Sequence, residues 1–72
     1  MVILTDHYIE RYRERVGKAH PLAQQNWLNR SLRVKGARRQ NDGKYMVKLV
    51  GSNHIAILSR EYGNTWVALT IK

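Results

Sequence analysis

Three side chains able to do chemistry stand four residues apart near the start of the chain: His7, Arg11 and Arg15. On a helix, positions i, i+4 and i+8 share one flank. An imidazole beside two guanidiniums is a metal-free arrangement suited to phosphodiester chemistry: the imidazole moves a proton, and the guanidiniums hold the phosphate and the charge that develops on it. The same flank also reads as an ordinary solvated helix face, with Glu10 and Glu14 pairing to Arg13 and Lys18. His54 and Arg60 repeat the two residue types further along, so His7, Arg11, Arg15, His54 and Arg60 form the candidate catalytic set. Arg11, Arg15 and Arg60 would hold phosphate, with His7 as the acid/base.

Other chemistries are poorly supplied. The acids are Asp6, Glu10, Glu14, Asp42 and Glu61, and no two of them make the carboxylate pair a two-metal nuclease needs. There is no cysteine, and His7, His20 and His54 lack ligand-like spacing, so neither a metal site nor a cofactor is expected. The glycines, at 17, 36, 43, 51 and 63, each fall where a turn or helix end explains them. None belongs to a phosphate-cradling loop.

Two further groups of residues carry positive charge. Arg30, Arg33, Lys35, Arg38 and Arg39 lie along and just beyond a second helix, whose Asn26 and Asn29 face outward with them. If that helix entered a major groove, these side chains would read base edges; His20-Pro21 and the lack of a third helix weaken such a helix-turn-helix reading. Lys48, His54, Arg60, Trp66 and Lys72 are expected together on an exposed sheet face, where an aromatic ring among basic residues stacks a base and holds the backbone beside it. The plainer alternative is that Trp66 and Leu58 cover the open side of a thin domain or meet another protein. The candidate nucleic-acid-binding set is therefore Arg30, Arg33, Lys35, Arg38, Arg39, Lys48, Trp66 and Lys72.

Composition supports a polyanionic partner. Thirteen Lys and Arg against five Asp and Glu leave a formal charge of +8 on 72 residues. Such an excess opposes folding by self-repulsion and favours phosphate, because each cation that meets one releases counterions. RNA or DNA is the expected polyanion, and an anionic membrane is the competing partner. No run of about 18 apolar residues is present to span a bilayer, and Met1-Val2-Ile3-Leu4 is too short for a signal peptide. The expected setting is cytoplasmic, without a membrane partner.

One domain, 1–72, must position these groups, since a chain this short supports a single modest core. Thr5-Asp6 opens a helix that Gly17 ends, with Tyr8, Ile9, Tyr12 and Val16 in one apolar arc. Pro21 opens a second helix and Gly36 closes it; Ala23, Trp27, Leu28, Ser31, Leu32 and Val34 form its apolar side. From residue 41 the period becomes two. Turns at Asn41-Asp42-Gly43, Gly51-Ser52-Asn53 and Tyr62-Gly63-Asn64-Thr65 separate strands over 44–50, 54–60 and 66–72, and a fourth strand is possible near 35–40. Alternation puts Tyr45, Val47, Leu49, Ile55, Ile57, Val67, Leu69 and Ile71 on the inner face, with Met46, Lys48, His54, Leu58, Arg60, Trp66, Thr70 and Lys72 outside. The expected class is α+β: two N-terminal helices packed on one face of a three- to four-stranded antiparallel meander sheet.

The opening Leu4-Thr5-Asp6-His7-Tyr8-Ile9-Glu10-Arg11-Tyr12-Arg13-Glu14-Arg15-Val16 resembles the first helix of small prokaryotic and phage proteins related to RelE, ParE and BrnT toxins. Those carry a Thr-x-His-x-x-x-Arg-x-x-x-Arg helix before an antiparallel sheet. The similarity is specific over about a dozen residues and extends to the rest only as element order. The wider barnase–EndoU–colicin–RelE group sets helices on one sheet face and acts on RNA with the other. The resemblance implies metal-independent endoribonuclease activity, a partner antitoxin, and roles for His7, Arg11 and Arg15. No second motif fixes the sheet residues, for which chemistry alone offers His54, Arg60 and Tyr62. Two alternatives stand beside this reading: a non-catalytic phage-type regulator that binds DNA or RNA, and a protein-interaction module or inhibitor that turns its basic surface to an acidic host protein.

Overall fold

The computed structural model describes all 72 residues, and it begins with a strand the sequence pattern does not announce. β1, Val2–Leu4, lies parallel to the last strand, with Val2 opposite Trp66 and Leu4 opposite Ala68. Thr5 then turns the chain into helix α1, Asp6–Arg15. Its hydroxyl oxygen accepts from the Tyr8 N–H at 3.1 Å and donates to the Ala68 carbonyl at 2.8 Å. One side chain thus caps the helix and ties it to the sheet.

Helix α2, Pro21–Val34, starts with proline in its first turn, as expected, and is capped by His20, whose Nδ1 accepts from the Leu22 N–H at 3.1 Å. It closes at Gly36, which takes a left-handed φ of 73° and donates to the Ser31 and Leu32 carbonyls. A side chain at that φ would be strained.

The remaining strands are β2 (Arg38–Arg39), β3 (Tyr45–Lys48), β4 (Ile55–Arg60) and β5 (Trp66–Ile71). They form one five-stranded sheet in the order β1-β5-β4-β3-β2, antiparallel everywhere except between β1 and β5. The α+β class and the two helices match the sequence reading. The sheet does not: it is mixed rather than a pure meander, because Met1–Leu4 adds a strand before the helices.

One core cluster holds the layers together. Tyr8 of α1 and Leu28 of α2 pack against Val2, Val47, Leu49, Ala56, Leu58, Ala68 and Ile71 of the sheet and its loops. Paired residues of an antiparallel ladder share a face, and Tyr45 opposes Leu58 while Val47 opposes Ala56. The helix-facing residues of β4 are therefore Ala56 and Leu58, not Ile55 and Ile57. In β5 they are Trp66, Ala68 and Ile71, not Val67 and Leu69; Leu69 is the extra residue of a bulge opposite Ile57 and Leu58. The register error has a physical cause. The open face carries Ile3, Met46, Ile55, Ile57 and Val67, so both faces are apolar and alternation cannot say which one meets the helices. No helix is long and apolar enough to cross a membrane.

Candidate nucleic-acid interface

Charge is distributed unevenly over this frame. Within α1, three bases (Arg11, Arg13, Arg15) stand against three acids (Asp6, Glu10, Glu14). The single ion pair of the protein is here, Arg11 to Glu14 at 2.6 Å, with both side chains partly in solvent. A pair of that kind contributes about 0–1 kcal/mol. From Arg30 to Arg39 there are five bases and no acid, all five exposed and none in an ion pair.

One of these bases, Arg33, lines a cleft of about 490 Å³ between α2 and one end of the sheet, together with Asn29 and Leu32 of the helix, with Arg60, Asn64 and Trp66 on the sheet side, and with Met1. The volume lies within the range of small-ligand sites, roughly 300–1,000 Å³. Arg60 and Trp66 are cross-strand partners on the helix-facing side, and the Arg60 guanidinium sits 5.4 Å from the Trp66 ring centroid. Tyr45 meets Trp66 edge to face, with centroids 4.9 Å apart and planes at 82°. Arg39 pairs with Tyr45 and so projects on the same face at the neighbouring strand. No acid lines the cleft. Glu61, the nearest in sequence, accepts a hydrogen bond from Ser59, whose register partner is Val67 on the opposite sheet face. A guanidinium held over an indole is attracted by the ring quadrupole and presents its N–H edge outward, ready for an oxyanion.

The sequence-derived candidates separate into groups. His7 is exposed near the start of α1, and Arg11 is engaged with Glu14. Arg15 donates from Nη1 to the Ile71 carbonyl at 3.1 Å, and His54 Nδ1 lies 3.2 Å from the Lys72 carbonyl. Arg15, His54 and Lys72 are thus gathered at the far end of β5. Arg60 is six residues beyond His54 along β4, a strand distance of about 20 Å. One reacting phosphate cannot meet both, so the five-residue catalytic set is not a single centre.

The expected exposed sheet face is also revised: Arg60 and Trp66 belong to the helix side, whereas Lys48 lies on the open face in a separate groove with Arg38, Met46, Asn53 and Ile55. Of the second set, Arg33 lines the cleft, Arg39 projects on the same sheet face as Tyr45, Arg30 is exposed on α2, and Lys35 lines a different groove with Ser31, Met46, Lys48 and Gly51. Asn64 and Tyr45 carry no binding signal in the sequence: Asn64 reaches the cleft from within the β4–β5 turn, and Tyr45 is placed by strand register.

A second pocket, of about 200 Å³, is apolar and lies under both helices, lined by Tyr8, Tyr12, Trp27 and Leu49 among others. Gln24 is its polar residue; its Nε2 donates to the Ala19 carbonyl at 2.9 Å and its Oε1 has no partner. Burial, and then the neighbouring Tyr12, raise the Tyr8 phenol well above its usual range. No charged side chain enters this pocket, which makes it part of the helix packing rather than a polyanion site. No group of three His, Cys, Asp or Glu is placed to hold a metal ion.

Comparison with protein-family models, curated proteins and solved structures finds no match to this chain.

Proposed function

We propose that the protein binds single-stranded nucleic acid, RNA in preference to DNA, through the cleft between α2 and the Trp66 end of the sheet and the Arg30–Arg39 corner beside it. The observation that carries this reading is the convergence of Arg33, Arg60 and Trp66 in one cleft with no acid among its lining residues. Guanidiniums supply phosphate contacts, and the indole supplies a surface for an unstacked base, which a duplex does not offer. The net charge of +8, left after every acid is counted, agrees with an external polyanion as the missing counter-charge.

The resemblance of the first helix to RelE- and BrnT-like toxins adds a second reading, a metal-independent endoribonuclease. Its support is local: Arg15 docked at the Ile71 carbonyl, with His54 at the next carbonyl of the same strand end. His7 would then act with Arg11 and Arg15, and Arg60 would serve binding rather than the reaction.

One titration tests the first reading. Fluorescence anisotropy of a labelled single-stranded RNA against salt is expected to give a log–log slope near −3.5, from about five phosphate contacts at roughly −0.7 each. Absence of binding at low salt contradicts it. Incubating the same RNA with protein in EDTA tests the second: cleavage abolished by His7→Ala and retained in Arg60→Gln is expected, and no cleavage, or cleavage indifferent to His7→Ala, removes the nuclease.

A further inference from the structure

The polyanion reading requires only charge, yet the cleft contains more than charge. Its lining comprises two guanidiniums, two carboxamides, one indole, Leu32 and Met1. Arg33 comes from the helix above and Arg60 from the strand end below, so two cations approach the same space from opposite walls. Neither makes an ion pair or a side-chain hydrogen bond within the protein. Trp66 lines the same cleft, its ring held edge to face against Tyr45 at 82°. The guanidinium of Arg60 rests over that ring, the position a planar, electron-poor group takes on an indole. Asn29 and Asn64 add donors and acceptors at the sides, the kind that read the edge of a base.

We infer that this cleft is a one-nucleotide pocket: a nucleobase stacks on Trp66 in the place Arg60 now occupies, and its phosphate is held between Arg33 and the released Arg60. The inference rests on the single-strand binding reading and narrows it. Most of the basic surface then acts as a non-specific track along the Arg30–Arg39 corner, and this cleft receives one nucleotide of the strand, or a free nucleoside monophosphate, by both of its parts. Occupancy by a phosphate alone leaves Trp66 without a role. Occupancy by a base alone leaves two unpaired guanidiniums facing each other across the site. A nucleotide satisfies all of them.

The open face of the sheet does not compete for this role. Its exposed surface is formed by Ile3, Met46, Ile55 and Val67 beside Lys48, with no aromatic ring on which a base can stack. The apolar pocket under the helices has aromatic rings and no cation. Only the cleft combines the two.

The experiment is a ¹H–¹⁵N titration of the intact protein that follows the two indole N–H signals, Trp27 and Trp66, with uridine 5′-monophosphate, ribose 5-phosphate and inorganic phosphate as separate probes. Uridine 5′-monophosphate is expected to move the Trp66 signal and leave Trp27 in place. It should bind about 5- to 150-fold more tightly than ribose 5-phosphate, the equivalent of one stacked base. Trp66→Leu should abolish that advantage, bringing the two sugar phosphates to equal affinity, and Arg33→Gln should weaken both probes. Equal affinities for the two sugar phosphates, or a response at Trp27 instead, overturns the one-nucleotide pocket even if long RNA still binds with a steep salt slope. Loss of long-RNA binding as well overturns the broader reading with it.

Discussion

Helix α1 and the segment from Arg30 to Arg39 are both rich in arginine, and they differ in what those arginines are free to do. In α1 three bases share the helix with three acids: Arg11 is paired with Glu14, Arg15 is fastened to the Ile71 carbonyl, and Arg13 is without a partner. In the second segment five exposed bases meet no acid, and one of them, Arg33, lines a cleft with an indole in its wall. Spacing along the sequence singles out the first region, because His7, Arg11 and Arg15 recur at helical intervals. Availability singles out the second. A cation already held by its own protein presents less charge to a ligand than a cation without a partner.

The largest perturbation of this contrast acts on the scaffold. Leu28 is fully buried at the centre of α2 and joins the core cluster that holds the helix to the sheet. Leu28→Ala is expected to cost about 2–5 kcal/mol, read as a lower urea midpoint. RNA affinity measured where the variant is still folded should stay close to the parent value. An affinity that collapses while the fold persists means that the position of α2, rather than its charge, controls binding.

A pH experiment addresses the α1 side. Tyr8 is 1% exposed and its phenol is raised, first by burial and then by Tyr12. An unfolded tyrosine ionises near pH 10, so the native state keeps a proton that the unfolded state releases above that pH. Its contribution is fully present below about pH 10 and is lost as pH rises further. Stability should therefore fall on the alkaline side, and Tyr8→Phe should flatten that fall; an unchanged alkaline limb in the variant contradicts the assignment. The smallest effect is expected at the cap. Thr5→Ala removes the bond to the Tyr8 N–H and the hydroxyl's bond to the Ala68 carbonyl, at about 1 kcal/mol, and leaves RNA affinity unchanged; the backbone N–H at position 5 keeps its own bond to that carbonyl. A large loss of affinity would return the binding site to α1.

Much of this arrangement can be read in the residues themselves. Thr5, Pro21, Gly17 and Gly36 mark the helix ends because capping chemistry is local, and the turn glycines mark the hairpins for the same reason. β1 escaped because three residues carry too little periodicity to register, and parallel pairing across more than sixty positions leaves no local trace. Sequence chemistry assigns Trp66 to binding and Arg60 to the catalytic set, and alternation puts both on the wrong face: the sequence Ile-Ala-Ile-Leu in β4 is apolar on both sides, and the bulge at Leu69 breaks the alternation in β5. The convergence of Arg33 with Arg60 depends on that register and on the path of α2, neither of which composition or spacing encodes directly.

The central claim, that the acid-free corner rather than α1 meets the nucleic acid, is tested most directly by two charge-reversed variants compared in one RNA titration at low salt. Arg33→Glu with Arg39→Glu is expected to weaken binding roughly 100-fold, the loss of two charge-assisted contacts. Arg11→Glu with Arg13→Glu carries the same change in net charge and is expected to weaken binding by less than about threefold, since those charges lie away from the cleft and are screened. Equal losses from the two variants would show that net charge alone governs binding, and a larger loss from the α1 variant would place the interface on the His7–Arg11–Arg15 flank.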